Sequence, residues 1–318
     1  MLIPDTKVSW IGRINEVTIG ALKDAGGTCE KTVTIGGQTT LPFLTLDGVI
    51  PHKPIIAGYV TDVVPDWPDF VKEAIGKEIA SPSEWAQKCV AEFGVDLISI
   101  RLHSADPNGQ DSSPEECVKV VKDILETVSV PLIVWGCGDE QKDALVLPEC
   151  SVALRGENCL LGSAKENNYL TMAALCVADN HKLISEAPVD INIAKQTNIL
   201  LQDAGFDLNN IVMYQATAAL GYGFDYVYSI IERSRLAGLK GDVLMACPQL
   251  CNIAEEVWRT KEATLDDKTM PGWGDVTKRG PMWESVTASL YLQAGADIVI
   301  MAHPQAIKNV KNVIDALS

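Results

Sequence analysis

The sequence predicts an α/β protein, a closed (β/α)8 TIM barrel preceded by an N-terminal extension of short strands. Three observations predict it. Short, mostly apolar runs recur from Pro54 onward, as in strands covered on both faces. Nearly every run ends in polar residues or a breaker, and helical sequence follows. The repeat occurs eight times, the number that closes a barrel. A doubly wound sheet is the alternative, but it usually has fewer strands. It also places a glycine-rich phosphate loop at its first turn, and neither GxGxxG nor GxxxxGK[ST] occurs here.

The clearest unit is Val95 to Pro107, VDLISIRLHSADP. Its strand reaches Leu102 and stops at His103, Ser104, Asp106 and Pro107. Ser113-Pro114-Glu115-Glu116 then starts a helix, with a capping serine and proline at the first helical position. Arg101 is the exception inside the apolar run and requires either a polar partner inside the barrel or a water-filled end.

Residues 1–53 do not follow the repeat. Lys7 to Ile19 and Thr32 to Ile35 carry β-branched runs, punctuated by Gly12, Gly26-Gly27 and Gly36-Gly37. They read as an extension packed across the bottom or the mouth of the barrel domain, 54–318. Thr34 to Leu46 is apolar enough to cover the barrel or to meet a partner.

The expected strands are Ile55 to Val60, Val95 to Leu102, Val130 to Trp135, Leu160-Leu161, His181 to Ser185, Asn210 to Tyr214, Asp242 to Ala246 and Asp297 to Met301. Helices are expected over Ser81 to Phe93, Pro114 to Val128, Asp143 to Arg155, Asn168 to Ala178, Asp190 to Ala204, Tyr222 to Leu236, Asn252 to Lys261, Pro281 to Gln293 and Gln305 to Leu317. Pro148 predicts a kink or two pieces in the third of these. A glycine-rich insertion with Pro271 to Gly274 at its tip precedes Pro281.

Composition narrows the function. A net charge of -16 disfavours nucleic acid and anionic lipid as partners. The beginning of the sequence has no basic-then-apolar leader, and no apolar run reaches membrane length, so a cytoplasmic protein is expected. The nine cysteines are scattered, with no CxxC pair, which suits reduced thiols. They form no compact set for a structural metal or an iron–sulfur cluster.

Barrel chemistry gathers at strand C-terminal ends. Of the four histidines, His103 and His303 fall there. With Asp62 they could hold a divalent metal, or they simply hydrogen-bond loop backbone. Asn167 and Asn168 could bind a flat polar heterocycle or an amide-bearing group, unless Asn168 only caps the next helix. Glu186 is an acid/base candidate or a cap. No nucleophile elbow or Ser/His/Asp set is recognisable.

The stretches KVSWIGRINEVTIG (Lys7 to Gly20), VTIGGQTTLPFLTLDG (Val33 to Gly48), LISIRLHSADPNG (Leu97 to Gly109), PLIVWGCG (Pro131 to Gly138) and MYQATAALGYGFDY (Met213 to Tyr226) carry a resemblance. Over its whole length the chain resembles the small subunit of the corrinoid iron–sulfur protein, the methyl carrier of the reductive acetyl-CoA pathway. The resemblance implies a barrel related to pterin-binding methyltransferases. It implies a larger partner subunit that carries a [4Fe-4S] cluster and a corrinoid (cobalamin) domain, with the corrinoid at the interface above the barrel. A methyltetrahydrofolate-dependent methyltransferase and acetyl-CoA synthase would be transient partners, and the small subunit would have no turnover of its own. A standalone barrel methyltransferase that binds methyltetrahydrofolate itself is the competing class. On the strand-end rule, His103, Ser104, Asn167, Gln215 and His303 are the residues expected to face the cofactor. Asn167 and Gln215 suit the amide-bearing corrin edge, and the two histidines are expected at the rim.

Overall fold

The computed structural model describes residues 7–318; residues 1–6 of the expected extension lie outside the described residues. The extension contributes β1 (Glu16–Ile19) and β2 (Val33–Gly36), an antiparallel pair in which Glu16 faces Gly36 and Ile19 faces Val33. The barrel units follow as β3 (Ile55–Thr61) with α1 (Asp69–Ile75) and α2 (Pro82–Ala91), and β4 (Leu97–Arg101) with α3 (Pro114–Thr127). Next come β5 (Leu132–Trp135) with α4 (Glu140–Ala153), β6 (Leu160–Ala164) with α5 (Tyr169–Asp179), and β7 (Lys182–Glu186) with α6 (Ile191–Asp203). The last three are β8 (Ile211–Tyr214) with α7 (Phe224–Leu239), β9 (Leu250–Asn252) with α8 (Ile253–Val257), α9 (Lys261–Thr264) and α10 (Val276–Ala294), and β10 (Ile298–Met301) with α11 (Pro304–Leu317).

Strands β3 to β10 form one parallel eight-stranded sheet in the order β8-β7-β6-β5-β4-β3-β10-β9. A single bridge, Met213 to Gln249, joins the two edge strands and closes the ring. The protein is therefore a (β/α)8 barrel. Apolar residues at helical spacing bury one face of each long helix; in α11 these are Ala306, Ile307, Val310 and Ile314. Local signals set the helix starts. Ser113 accepts from the Glu116 amide while the Glu116 carboxylate accepts from the Ser113 amide, a reciprocal cap at the start of α3. Inside the barrel, the Trp135 indole donates to Ser99 Oγ at 3.0 Å, and its ring meets the edge of Tyr214 at 5.2 Å.

The β1–β2 ribbon lies on the barrel floor, the end where strands begin. Gly20 donates to the Asn158 carbonyl at 2.8 Å, Glu30 to Ser129 at 2.9 Å and Asn15 to Ala246 at 2.6 Å, all just ahead of barrel strands. Val17, Ile19, Val33 and Ile35 are buried against the core. A buried polar knot pins the ribbon in place. Arg235 Nη2 pairs with Asp297 Oδ2 at 2.6 Å and Arg235 Nη1 donates to Gln38 Oε1 at 2.8 Å. Gln38 Nε2 donates to Asp297 Oδ1 at 2.8 Å, and the Gln249 amide donates to Asp297 Oδ2 at 2.8 Å.

Three expectations need correction. The seventh barrel strand is Leu250–Asn252, not Asp242 to Ala246. Asp242 accepts from the Leu244 amide and caps a 3-10 turn over Val243–Met245. The apolar run there packs as a turn, and the strand begins only after Pro248. Consequently Cys247 and Gln249 stand at the start of that strand rather than at its polar end. The second correction is α4, which runs unbroken through Pro148. The helix expected over Asn252 to Lys261 is the third: α8 stops at Val257, and α9 begins only at Lys261.

Candidate functional site

The barrel mouth is built from the strand C-terminal ends and has two sides. On the side of β3, β4 and β9, a cavity of ≈ 850 Å³ is lined by Tyr59, Trp67, His103, Glu255, Trp258 and Arg259, among others. On the side of β6 and β7, a cavity of ≈ 420 Å³ is lined by Lys165, Asn167, Glu186, Pro188, Ile193 and Ala216, among others. A recess of ≈ 40 Å³ between Arg101, Trp135, Gly138, Ser163 and Glu186 lies next to the second cavity and shares Glu140, Lys165 and Glu186 with it.

Arg101 closes β4 and carries its guanidinium over the Trp135 ring, 5.7 Å from the centroid. Burial works against its charge, but the fields of Glu255, Tyr214, Tyr59 and Glu186 outweigh burial and hold it protonated. None of those groups makes a hydrogen bond or ion pair with it, and its Nε is buried without a partner. Instead, Glu255 pairs with Arg259 at 2.9 Å, and Glu186 accepts from Ser163 and lies 3.6 Å from Lys165 Nζ. Of the two alternatives expected for Arg101, no polar partner is found among the described residues, and the half-buried side chain lines a recess at the mouth. The loop after β5 makes room for its head group. Asp143 accepts from the amides of Cys137 and Gly138 at 2.8 and 3.0 Å, and a Cβ on Gly138 (φ 103°) would lie 3.3 Å from Arg101 Nη2.

The five residues expected at the cofactor separate into distinct environments. His103 lines the larger cavity with its Nε2 3.1 Å from the Tyr59 hydroxyl. Burial, then the nearby Arg101 charge, lowers its pKa, so the ring is neutral at pH 7. Ser104 is buried and turned to Asp62, which accepts from its amide at 3.0 Å and from its hydroxyl. Asp62 is thus tied to Ser104. Among the described residues no three His, Cys, Asp or Glu side chains gather as a metal-ligand set.

His303 caps α11, its Nδ1 accepting from the Gln305 amide at 3.1 Å. Its ring lies 5.8 Å from that of Trp258, and burial pulls its pKa down to about 4. Asn167 is exposed and borders the smaller cavity. Asn168 does not cap α5 with its side chain; it ties the loop by accepting from the Lys165 amide at 2.6 Å and donating to the Ser163 carbonyl at 3.1 Å. Gln215 follows β8 but points into the wall, 2 % exposed, where its amide meets Ser234 and Gln249. A strand end lies at the mouth, but alternate residues along it face the helices.

Sequence reasoning passed over Tyr59, Tyr214, Glu255 and Glu284. Glu284 is fully buried in α10, where it accepts from the amides of Ala302 at 2.7 Å and His303 at 3.1 Å. Burial raises its pKa to about 7. The two tyrosines carried a signal, since each is a large polar-tipped residue within two positions of a strand end. The glutamates carried none, because their partners are remote in sequence.

The fold defines a (β/α)8 barrel protein, and solved dihydropteroate synthases share that fold. The synthase of Xanthomonas albilineans, solved with 4-aminobenzoic acid, superimposes with a TM-score of 0.55 at 16% identity, covering 85% of this chain and 94% of that one. The synthase of Coxiella burnetii, solved with pteroic acid, gives 0.56 at 12% identity, covering 85% and 94%. Likeness at these identities concerns the fold alone. The chain belongs to the CO dehydrogenase/acetyl-CoA synthase delta subunit family, which matches residues 16–311. It is 38% identical over 316 residues to the acetyl-CoA decarbonylase/synthase complex subunit delta of Archaeoglobus fulgidus, covering 98% of this chain and 70% of that relative. It is 36% identical over 304 residues to subunit delta of Methanocaldococcus jannaschii, covering 95% and 73%. No helix among the described residues is long and apolar enough to cross a membrane.

Proposed function

We propose that this chain is the small subunit of a heterodimeric corrinoid iron–sulfur methyl carrier in the cytoplasm. It would cap the corrinoid held by a larger subunit, which also holds the [4Fe-4S] cluster. The carrier would take a methyl group from a methyltetrahydrofolate-dependent methyltransferase and deliver it to acetyl-CoA synthase. Family membership across residues 16–311 supports a role inside that complex. The observation that carries the capping role is the open barrel mouth, where each of the two strand-end histidines is held by a neighbour. His103 is engaged by Tyr59, and His303 by the Gln305 amide and Trp258.

The residues present fit a corrinoid. Arg101 offers a buried donor with no acceptor of its own, and the amide-bearing edge of a corrin supplies acceptors. When bound, the corrinoid supplies cobalt as the methyl acceptor and donor. This chain's residues would then exclude water and position the edge. The Tyr59 contact of His103 and the Gln305 contact of His303 would hold both rings back from the corrinoid. Asn167, on the exposed rim, would meet the partner or the corrin periphery.

Co-expression with the larger subunit tests the reading. The two chains should elute together, with more than roughly 2,000 Å² buried between them. This chain purified alone should carry neither iron nor corrinoid by metal analysis and visible spectrum. A chain that stays monomeric beside its folded partner at micromolar concentration would refute the proposal, as would tight methyltetrahydrofolate binding by the isolated chain.

A further inference from the structure

We propose that the recess between Arg101 and Glu186 is a binding subsite for a single carboxamide group. Arg101 would donate to its oxygen, and Glu186 would accept from its nitrogen. The inference rests on the corrinoid reading for its biological ligand, but its chemistry stands on the recess.

A buried N–H with no acceptor is costly, and native proteins rarely leave one unmatched. Arg101 is half-buried; its Nε–H is buried without an acceptor, and no hydrogen bond or ion pair among the described residues holds the rest of its head group. The missing acceptor must therefore come from solvent or a ligand. Charge decides which kind of ligand. Arg101 and Lys165 bring two positive charges to the recess, against three negative charges from Glu140, Asp143 and Glu186. A carboxylate would add a fourth negative charge; a carboxamide adds none, and its N–H2 suits Glu186.

Size agrees. A water requires roughly 10–15 Å³ of such space, so the ≈ 40 Å³ recess admits a head of about three heavy atoms. The larger neighbouring cavity, whose lining includes Ala187, Pro188, Ile193 and Ala216, leaves room for an apolar stem. Such a stem and head describe a propionamide arm.

Titration of the ¹⁵N-labelled chain with propionamide tests the subsite directly. Propionamide should shift the Arg101 Nε–H, Trp135 indole and Gly138 amide signals, and propionate at equal concentration should shift them far less. Arg101→Met should abolish the effect and Glu186→Gln should reduce it, with circular dichroism confirming that both variants fold. Equal or greater response to propionate, or no response to propionamide at 100 millimolar order, overturns the proposal.

The complex supplies the second arm. Arg101→Met should weaken binding to the corrinoid-loaded larger subunit about tenfold or more, and leave binding to the corrinoid-free form unchanged. A preference for the loaded form that survives Arg101→Met would overturn the assignment of the recess to the corrin edge. If wild type itself binds loaded and free partner equally, the corrinoid reading fails, while the propionamide titration still judges the recess.

Discussion

Replacing Asp297 by Asn should be among the most damaging conservative changes in this chain. Both side chains of the Arg235–Asp297 pair are 3% exposed, so solvent cannot replace a lost charge. Asp297 accepts from Arg235, Gln38 and the Gln249 amide. Asparagine keeps one acceptor oxygen and turns an N–H2 toward donors. Arg235 would be left with only Gln38 and the Gly295 carbonyl. Breaking a buried pair in this way costs ~3–5 kcal/mol. The floor ribbon should loosen with it, because Gln38 belongs to the same knot. Urea denaturation followed by circular dichroism and Trp fluorescence measures the loss, and amide exchange at residues 33–38 reports the ribbon. Replacing the pair together, with Arg235→Met and Asp297→Leu, should cost less than Asp297→Leu alone, since no charge then stays buried unpaired. A cost below ~1 kcal/mol for Asp297→Asn, or strictly additive effects in the double variant, would refute the reasoning.

Gln215→Ala should destabilise the barrel by ~1–3 kcal/mol and leave any mouth ligand unaffected, because its partners Ser234 and Gln249 are buried; urea unfolding beside ligand titration separates the two effects. Glu284 and His303 should oppose each other in pH dependence. Glu284 is at about 7 against an ordinary 4.5, so the folded state keeps an extra proton between those values and stability falls as pH rises. His303 is at about 4 against 6.5, so there the unfolded state holds the extra proton and stability rises with pH. Each is worth ~3 kcal/mol over its window. Glu284→Gln should therefore unmask a rise in stability from pH 4 to 6.5 that wild type largely conceals, and an unchanged pH profile would contradict it. Ser113→Ala should cost ~1 kcal/mol in thermal or urea unfolding through loss of the α3 cap.

The barrel was legible because apolar runs and helix caps are local signals. Ser113 with Glu116, and the polar ends after Arg101 and Met301, could be placed from neighbours in sequence alone. The seventh strand was not, because three residues, Leu250–Asn252, give too short a run to outweigh the apolar turn before it. At the mouth, Arg101 stood out as the charge inside the apolar run of β4, but its lack of a partner depends on where Glu186 and Glu255 are engaged. Gln215 was misleading for a related reason. Its position after β8 is local information, while the face it takes depends on α7 packing against it.

The way the ring closes has a mechanical meaning. Neighbouring strands elsewhere share registers of three to five residue pairs, whereas β8 and β9 share one bridge, Met213 to Gln249. The barrel is a split collar with a glutamine clasp, Gln215 on Gln249, across the split. Spreading the collar there breaks one bridge and two side-chain bonds, Gln215 to Gln249 and the Asn252 amide to Thr217 Oγ1, and every other ladder stays intact. The rim beside the split holds Ala216 and, at and just after the end of β7, Glu186 to Pro188, which line the smaller cavity. Amides at 211–214 and 249–252 should accordingly exchange ahead of those in the other staves.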